Sequence, residues 1–178
     1  MKNKSVIFEI PSVRAEAEIE GKRIFENNIK RNRPKEQIRP NELEIDILGS
    51  MGELAVCEIL KIKKRNFIRN KVDDEFPVKE ADIIVDDSIT IDVKAHKYYA
   101  NEWHTNLKSF KDEKKEVKWY WFIKFITDTN VEYSIFTRQE VATWEIKKLK
   151  YTEALCKTIN TDFTEQDITK RTEEMKSQ

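Results

Sequence analysis

Asp92-Val93-Lys94 lies within Ile89-Thr90-Ile91-Asp92-Val93-Lys94-Ala95-His96, the cleanest alternation of apolar and polar residues in the chain. A strand repeats every two residues. Ile89, Ile91 and Val93 therefore share one face, and Thr90, Asp92, Lys94 and His96 share the other. A carboxylate and an ammonium meet on one surface spot. Acid-x-Lys also occurs at Glu20/Lys22, Asp112/Lys114, Glu113/Lys115, Glu116/Lys118, Glu145/Lys147 and Glu174/Lys176, and a plain ion pair on a strand has the same spacing. Context sets Asp92 apart. Asp82 begins a preceding strand candidate, Asp82-Ile83-Ile84-Val85, across an Asp86-Asp87-Ser88 turn. Antiparallel pairing folds the two strands together, but sequence does not fix the register, and an ordinary strand-start Asp reads the same way. Glu53 is the third acid, on a helix with Gly49 and Gly52. Glycine inside a helix costs about 1 kcal/mol relative to alanine and is tolerated where another backbone or a ligand comes close. Glu53 shares its helical face with Val56, Cys57 and Leu60, where a lone carboxylate needs a cation or hydrogen bonds; a helix-dipole contact is the structural alternative. Three carboxylates supply hard oxygen ligands for Mg²⁺ or Mn²⁺. Such an ion activates water and stabilises a pentavalent phosphate, and a lysine alongside orients the hydroxide or the transition state.

Glu53 with its Gly-x-x-Gly-Glu-x-Ala helix, then Asp82, then Asp92-Val93-Lys94 ten residues on, resembles the PD-(D/E)XK nuclease superfamily, especially its small phage and bacterial members. The resemblance covers roughly residues 45–136. It implies an α/β fold with a restriction-endonuclease-like αβββαβ core and a mixed central sheet. It implies metal-dependent hydrolysis of phosphodiester bonds in DNA, with an endonuclease favoured and Mg²⁺ as cofactor, replaceable by Mn²⁺. Glu53, Asp82, Asp92 and the Val93 carbonyl take the metal, and Lys94 serves the attacking water. Ala81 stands where the family's name-giving proline would be, and no family glutamine or tyrosine motif follows on a helix. Many relatives pair to cut both strands, which makes a homodimer one expectation. The rival expectation is a catalytically silent module of the same fold that binds DNA or protein for a phage or mobile element.

His96, on the Asp92/Lys94 face, is an expected phosphate contact or proton carrier, with an exposed strand-end histidine as the alternative. Lys97, Tyr98, Tyr99, Trp103 and His104 mix basic and aromatic groups as a nucleic-acid-contacting loop does; a loop packing its aromatics on the core reads equally. Basic runs at 22–39 and 61–71 can grip phosphates. Trp119, Trp121 and Phe125 read as core.

The elements that must position these groups follow from the rest of the chain. Its 178 residues are 39% hydrophobic and 37% charged, enough for one domain with a buried core and a densely ionic surface. Lys+Arg and Asp+Glu both total 33, which excludes a uniformly basic coat but not a local basic groove. No apolar run approaches the roughly 18 residues of a membrane span. Cys57 and Cys156 show no metal spacing and read as reduced thiols of a cytoplasmic protein. A short strand at Val6–Ile10 and a helix from Ser12 to about Asn32 make residues 1–40 a helical N-terminal extension. A core over 41–150 holds a helix from near Asn41 to about Ile62. Its strands fall at Phe67–Val72, Asp82–Val85, Ile89–His96, Trp119–Ile126 and Val131–Phe136. A helix around Leu107–Lys115 and one over Gln139–Lys150 complete it. Residues 151–178 form a C-terminal helical or frayed tail, polar from Thr161.

Overall fold

The computed structural model describes residues 7–30, 41–61, 81–85, 88–112, 116–159 and 164–177. The expected strand at Phe67–Val72, the basic run 61–71 beyond Lys61 and the Pro34–Pro40 loop lie outside them. The fold is mixed α/β. Helices α1 (Arg14–Lys30) and α2 (Glu42–Leu60) follow the two-residue strand β1 (Phe8–Glu9). Strands β2 (Ile83–Val85), β3 (Ile89–Lys97), β5 (Trp119–Phe125) and β6 (Asn130–Thr137) join β1 in a sheet of order β1-β6-β5-β3-β2. β3 and β5 run parallel and the other neighbours antiparallel. A second sheet, β4-β8-β7, joins β4 (Glu102–Asn106), β7 (Glu145–Lys148) and β8 (Glu153–Thr158). The segments 1–40 and 151–178 thus contribute strands to both sheets. No helix among the described residues is long and apolar enough to cross a membrane.

β5 is apolar on both faces because both are covered. Trp119, Trp121, Ile123 and Phe125 meet α2 residues Met51, Leu54, Ala55 and Val56 in one core. Tyr120 and Phe122 enter a second core with Trp103, Phe136, Trp144 and Leu155 beneath the smaller sheet. A central strand covered on both sides reads as a near-continuous apolar run.

Two expectations change. The helix over Gln139–Lys150 stops after one turn, α4 (Arg138–Ala142), which a Thr137–Glu140 capping box starts. Trp144 still reaches the second core, but Glu145–Lys148 runs on as β7, paired with β8. The helix around Leu107–Lys115 shrinks to α3 (Leu107–Phe110), capped by Asn106, and β4 precedes it. The tail, expected as helical or frayed, is helical over α5 (Glu165–Lys176), capped by Thr164 and Asp167. Only Ile168 and Met175, two turns apart, are buried on α5; two apolar residues leave little periodic signal. Arg171 anchors that helix by a two-pronged bond to Glu140 (2.7 and 2.9 Å) and a 2.9 Å bond to the Ile135 carbonyl. The Trp121 Nε1–H donates to Met175 Sδ at 3.4 Å inside the core.

The two glycines of α2 differ in cause. A Cβ at Gly52 would lie 2.8 Å from Ala95 Cβ and 3.2 Å from Val93 Cγ1, so the missing side chain sets how closely α2 sits on β3. A Cβ at Gly49 meets no described atom within 4 Å, the open space expected one turn before Glu53. Gly52→Ala should therefore cost about 1–3 kcal/mol through overpacking. Gly49→Ala should gain up to about 1 kcal/mol from helix propensity. Urea unfolding midpoints that move in the same direction would contradict this packing.

Candidate active site

The β2–β3 register pairs Ile83 with Ile91 and Val85 with Ile89. One residue further, Asp82 falls opposite Asp92. β2 has ended there, and the Asp82 side chain takes its place: Oδ2 accepts from the Val93 N–H at 2.8 Å. The N–H and C=O of a paired strand residue face the same neighbour, so the Val93 carbonyl also looks toward this edge, which no described strand covers. Lys94 Nζ lies 3.5 Å from it.

Asp92 is 1% exposed and forms an ion pair with Lys94 through Oδ2. Burial pulls the Lys94 ammonium down in pKa. The Asp92 and Asp82 carboxylates and the Asp92 hydrogen bond overcome it, so the group is held above its ordinary value and stays charged. Tyr120 stands opposite Asp92 across the β3–β5 register. Burial first, then Asp92, pushes its phenol up to about 12, against the pull of Arg138 and Lys94. A neutral hydroxyl thus borders the acid pair. Sequence alone hid Tyr120, because only the parallel register brings it beside Asp92.

Glu53 approaches differently. Its neighbour Gly52 backs onto Val93 and Ala95, on the face of β3 opposite the one that carries Asp92 and Lys94. Its Oε2, like Asp92 Oδ2, is shut off from solvent. Among the described residues, no three His, Cys, Asp or Glu side chains form a group that could hold one metal ion. The structure brings together the strand half of the expected set, Asp82, Asp92, Lys94 and the Val93 carbonyl, with Glu53 behind the strand. Two carboxylates and a carbonyl around one stretch of strand suit the oxygen preference of Mg²⁺.

The expected nucleic-acid contacts divide. His96 is 4% exposed and faces inward. Its Nδ1 lies 3.2 Å from the Lys94 carbonyl, which only accepts, so Nδ1 carries the proton. Its Nε2 accepts from the His104 backbone N–H at 3.3 Å and lies 3.2 Å from His104 Nδ1. Burial, with His104 and Lys94 nearby, lowers the His96 pKa to about 3, so the ring stays neutral. Trp103 is 1% exposed and packs on His96 and Phe122. Neither residue is open to a base, and both leave the contact set; the smaller sheet, which the sequence did not reveal, turns Trp103 inward from β4 onto His96 and Phe122. Tyr98 and His104 remain at the surface, with Tyr98 edge-on to Tyr99. Lys97 pairs with Glu44 at 3.1 Å.

Comparison of the chain with protein-family models, with curated proteins and with solved structures finds no significant match in any of the three. The functional reading therefore stands on the site itself.

Proposed function

We propose that this protein is a metal-dependent nuclease that hydrolyses phosphodiester bonds in DNA, with an endonuclease favoured. The observation that supports it most is the Asp82–Val93 hydrogen bond, which continues the β2–β3 register so that a second acid borders the Asp92–Lys94 pair. Asp82, Asp92 and the Val93 carbonyl would hold Mg²⁺, with Glu53 joining around the edge of β3 that no described strand covers. Bound there, the ion supplies Lewis acidity toward phosphate and a lowered pKa for water. Lys94, kept cationic by the two acids, donates to the attacking water or to a phosphate oxygen as negative charge grows. Asp92 fixes the ammonium's direction. The neutral Tyr120 hydroxyl adds a donor without adding charge.

The second reading is a catalytically silent module of the same fold that binds DNA or protein and cuts nothing. Incubation with duplex, single-stranded and branched DNA and with RNA separates the two. The nuclease reading expects cleavage of DNA with Mg²⁺ or Mn²⁺ and none in EDTA. Intact substrate in every metal arm leaves the binding module.

A further inference from the structure

We propose that His96 and His104 together bind one transition-metal ion of the Zn²⁺ class, at a site separate from the strand acids and independent of the nuclease reading. The chain has two histidines in 178 residues, and the fold brings both to one spot. His96 lies near the end of β3 in the larger sheet, and His104 lies in β4 of the smaller one. An ion held by both would clamp one sheet to the other.

The pair has the spacing of two ligands. His96 Nε2 and His104 Nδ1 are 3.2 Å apart, with the rings edge-on at 84° and their centroids 4.5 Å apart. Imidazole nitrogens bind Zn²⁺ at about 2.0–2.1 Å. At that bond length, nitrogens 3.2 Å apart subtend roughly 100–106° at an ion between them, close to the tetrahedral angle that Zn²⁺ adopts.

His96 also has the support such a ligand needs. Its Nδ1–H donates to the Lys94 carbonyl at 3.2 Å. A ligating histidine commonly gives its other ring N–H to a carbonyl, which fixes the tautomer and raises the basicity of the free nitrogen. The ring is 4% exposed and packs against Trp103 and Phe122, so Nε2 is held in place before an ion arrives. The ion would replace one long bond, from the His104 N–H at 3.3 Å. Burial keeps both rings neutral to lower pH than usual, and neutral imidazole is the form that ligates.

The surroundings leave the site open on one side. Both rings border a cavity of about 410 Å³ between β3, β4 and the loop 149–152. No third His, Cys, Asp or Glu among the described residues completes the set, so water takes the remaining positions. Lys94 lines the same cavity, but its ammonium is turned to Asp92. Glu102, on the His104 face of β4, is paired with Lys147. Cys156 stands opposite His104 in the β4–β8 register, and its thiol donates to the Ala154 carbonyl at 3.7 Å.

The test uses tag-free, full-length Asp82→Ala/Asp92→Ala, so that the histidines are the chain's own and the strand acids take no ion. Co²⁺ is titrated and followed by its visible absorption. One ion should bind per chain. Zn²⁺ should displace it, whereas Mg²⁺ or Mn²⁺ in excess should not, because imidazole suits Zn²⁺ and the other two prefer oxygen. His104→Ala, a change at the surface, should weaken binding at least about tenfold. A second readout needs no variant. In nitrogen-15 spectra of wild type, Zn²⁺ should shift His96 Nε2 and His104 Nδ1 and leave His96 Nδ1 protonated. Affinity unchanged by His104→Ala, or ring signals that ignore Zn²⁺, would overturn the site and leave two rings that only hydrogen-bond to each other. Cleavage or its absence does not bear on either result.

Discussion

Asp92→Ala and Lys94→Ala are each expected to abolish metal-dependent cleavage of DNA, by at least about 10²–10³-fold, the range for losing one preorganised charge-stabilising group. Their effects on the fold should be opposite in sense. Asp92→Ala removes a carboxylate that is 1% exposed and frees Lys94, whose side chain is 25% exposed and borders a cavity. The released ammonium can turn toward water, and the repulsion between Asp92 and Asp82 disappears. Stability in metal-free buffer should hold or rise. Lys94→Ala instead strands Asp92 in the interior without its cation. Breaking a buried pair from that side costs about 3–5 kcal/mol.

Urea melts would show that loss in Lys94→Ala and not in Asp92→Ala. Cleavage at wild-type rates by both variants would remove this site from the chemistry.

Much of this arrangement was legible in the residues. The period of two in Ile89–His96 placed Asp92 and Lys94 on one face, and the two-sided apolarity of Trp119–Ile126 marked the central strand. The rest depended on pairing. The meeting of Asp82 with Asp92 needed a register that a short strand does not declare. Tyr120 became a neighbour of Asp92 only through parallel pairing of two strands over twenty residues apart. The smaller sheet escaped because Glu145-Ile146-Lys147-Lys148 is charged and brief, as an edge strand should be, while Val141 and Trp144 share the spacing of a helix. That miss hid the inward turn of Trp103 onto His96. Tertiary context, not propensity, decided these segments.

A divalent metal ion is expected to give the second large effect. An ion that binds only the folded chain stabilises it by about 2.7 kcal/mol at one hundred times its Kd, which for a domain of this size is a rise of roughly 5–10 °C in Tm. Removing the acids that hold it should erase the rise without destroying the fold, because Asp82 and Asp92 repel each other when no ion is present. Glu53→Ala adds a separate answer. A reduced shift means that its side chain comes round the edge of β3 to join the ion, and a full shift means that the strand acids suffice.

The most direct measurement is a Mn²⁺ titration by calorimetry, with matched thermal melts, on wild type and on Asp82→Ala/Asp92→Ala. Wild type should bind the ion stoichiometrically and melt higher, and the double variant should do neither. The same heat and the same shift in both proteins would mean that the ion binds elsewhere, and that the Asp82–Asp92–Lys94 cluster is an ion-pair network rather than a metal site.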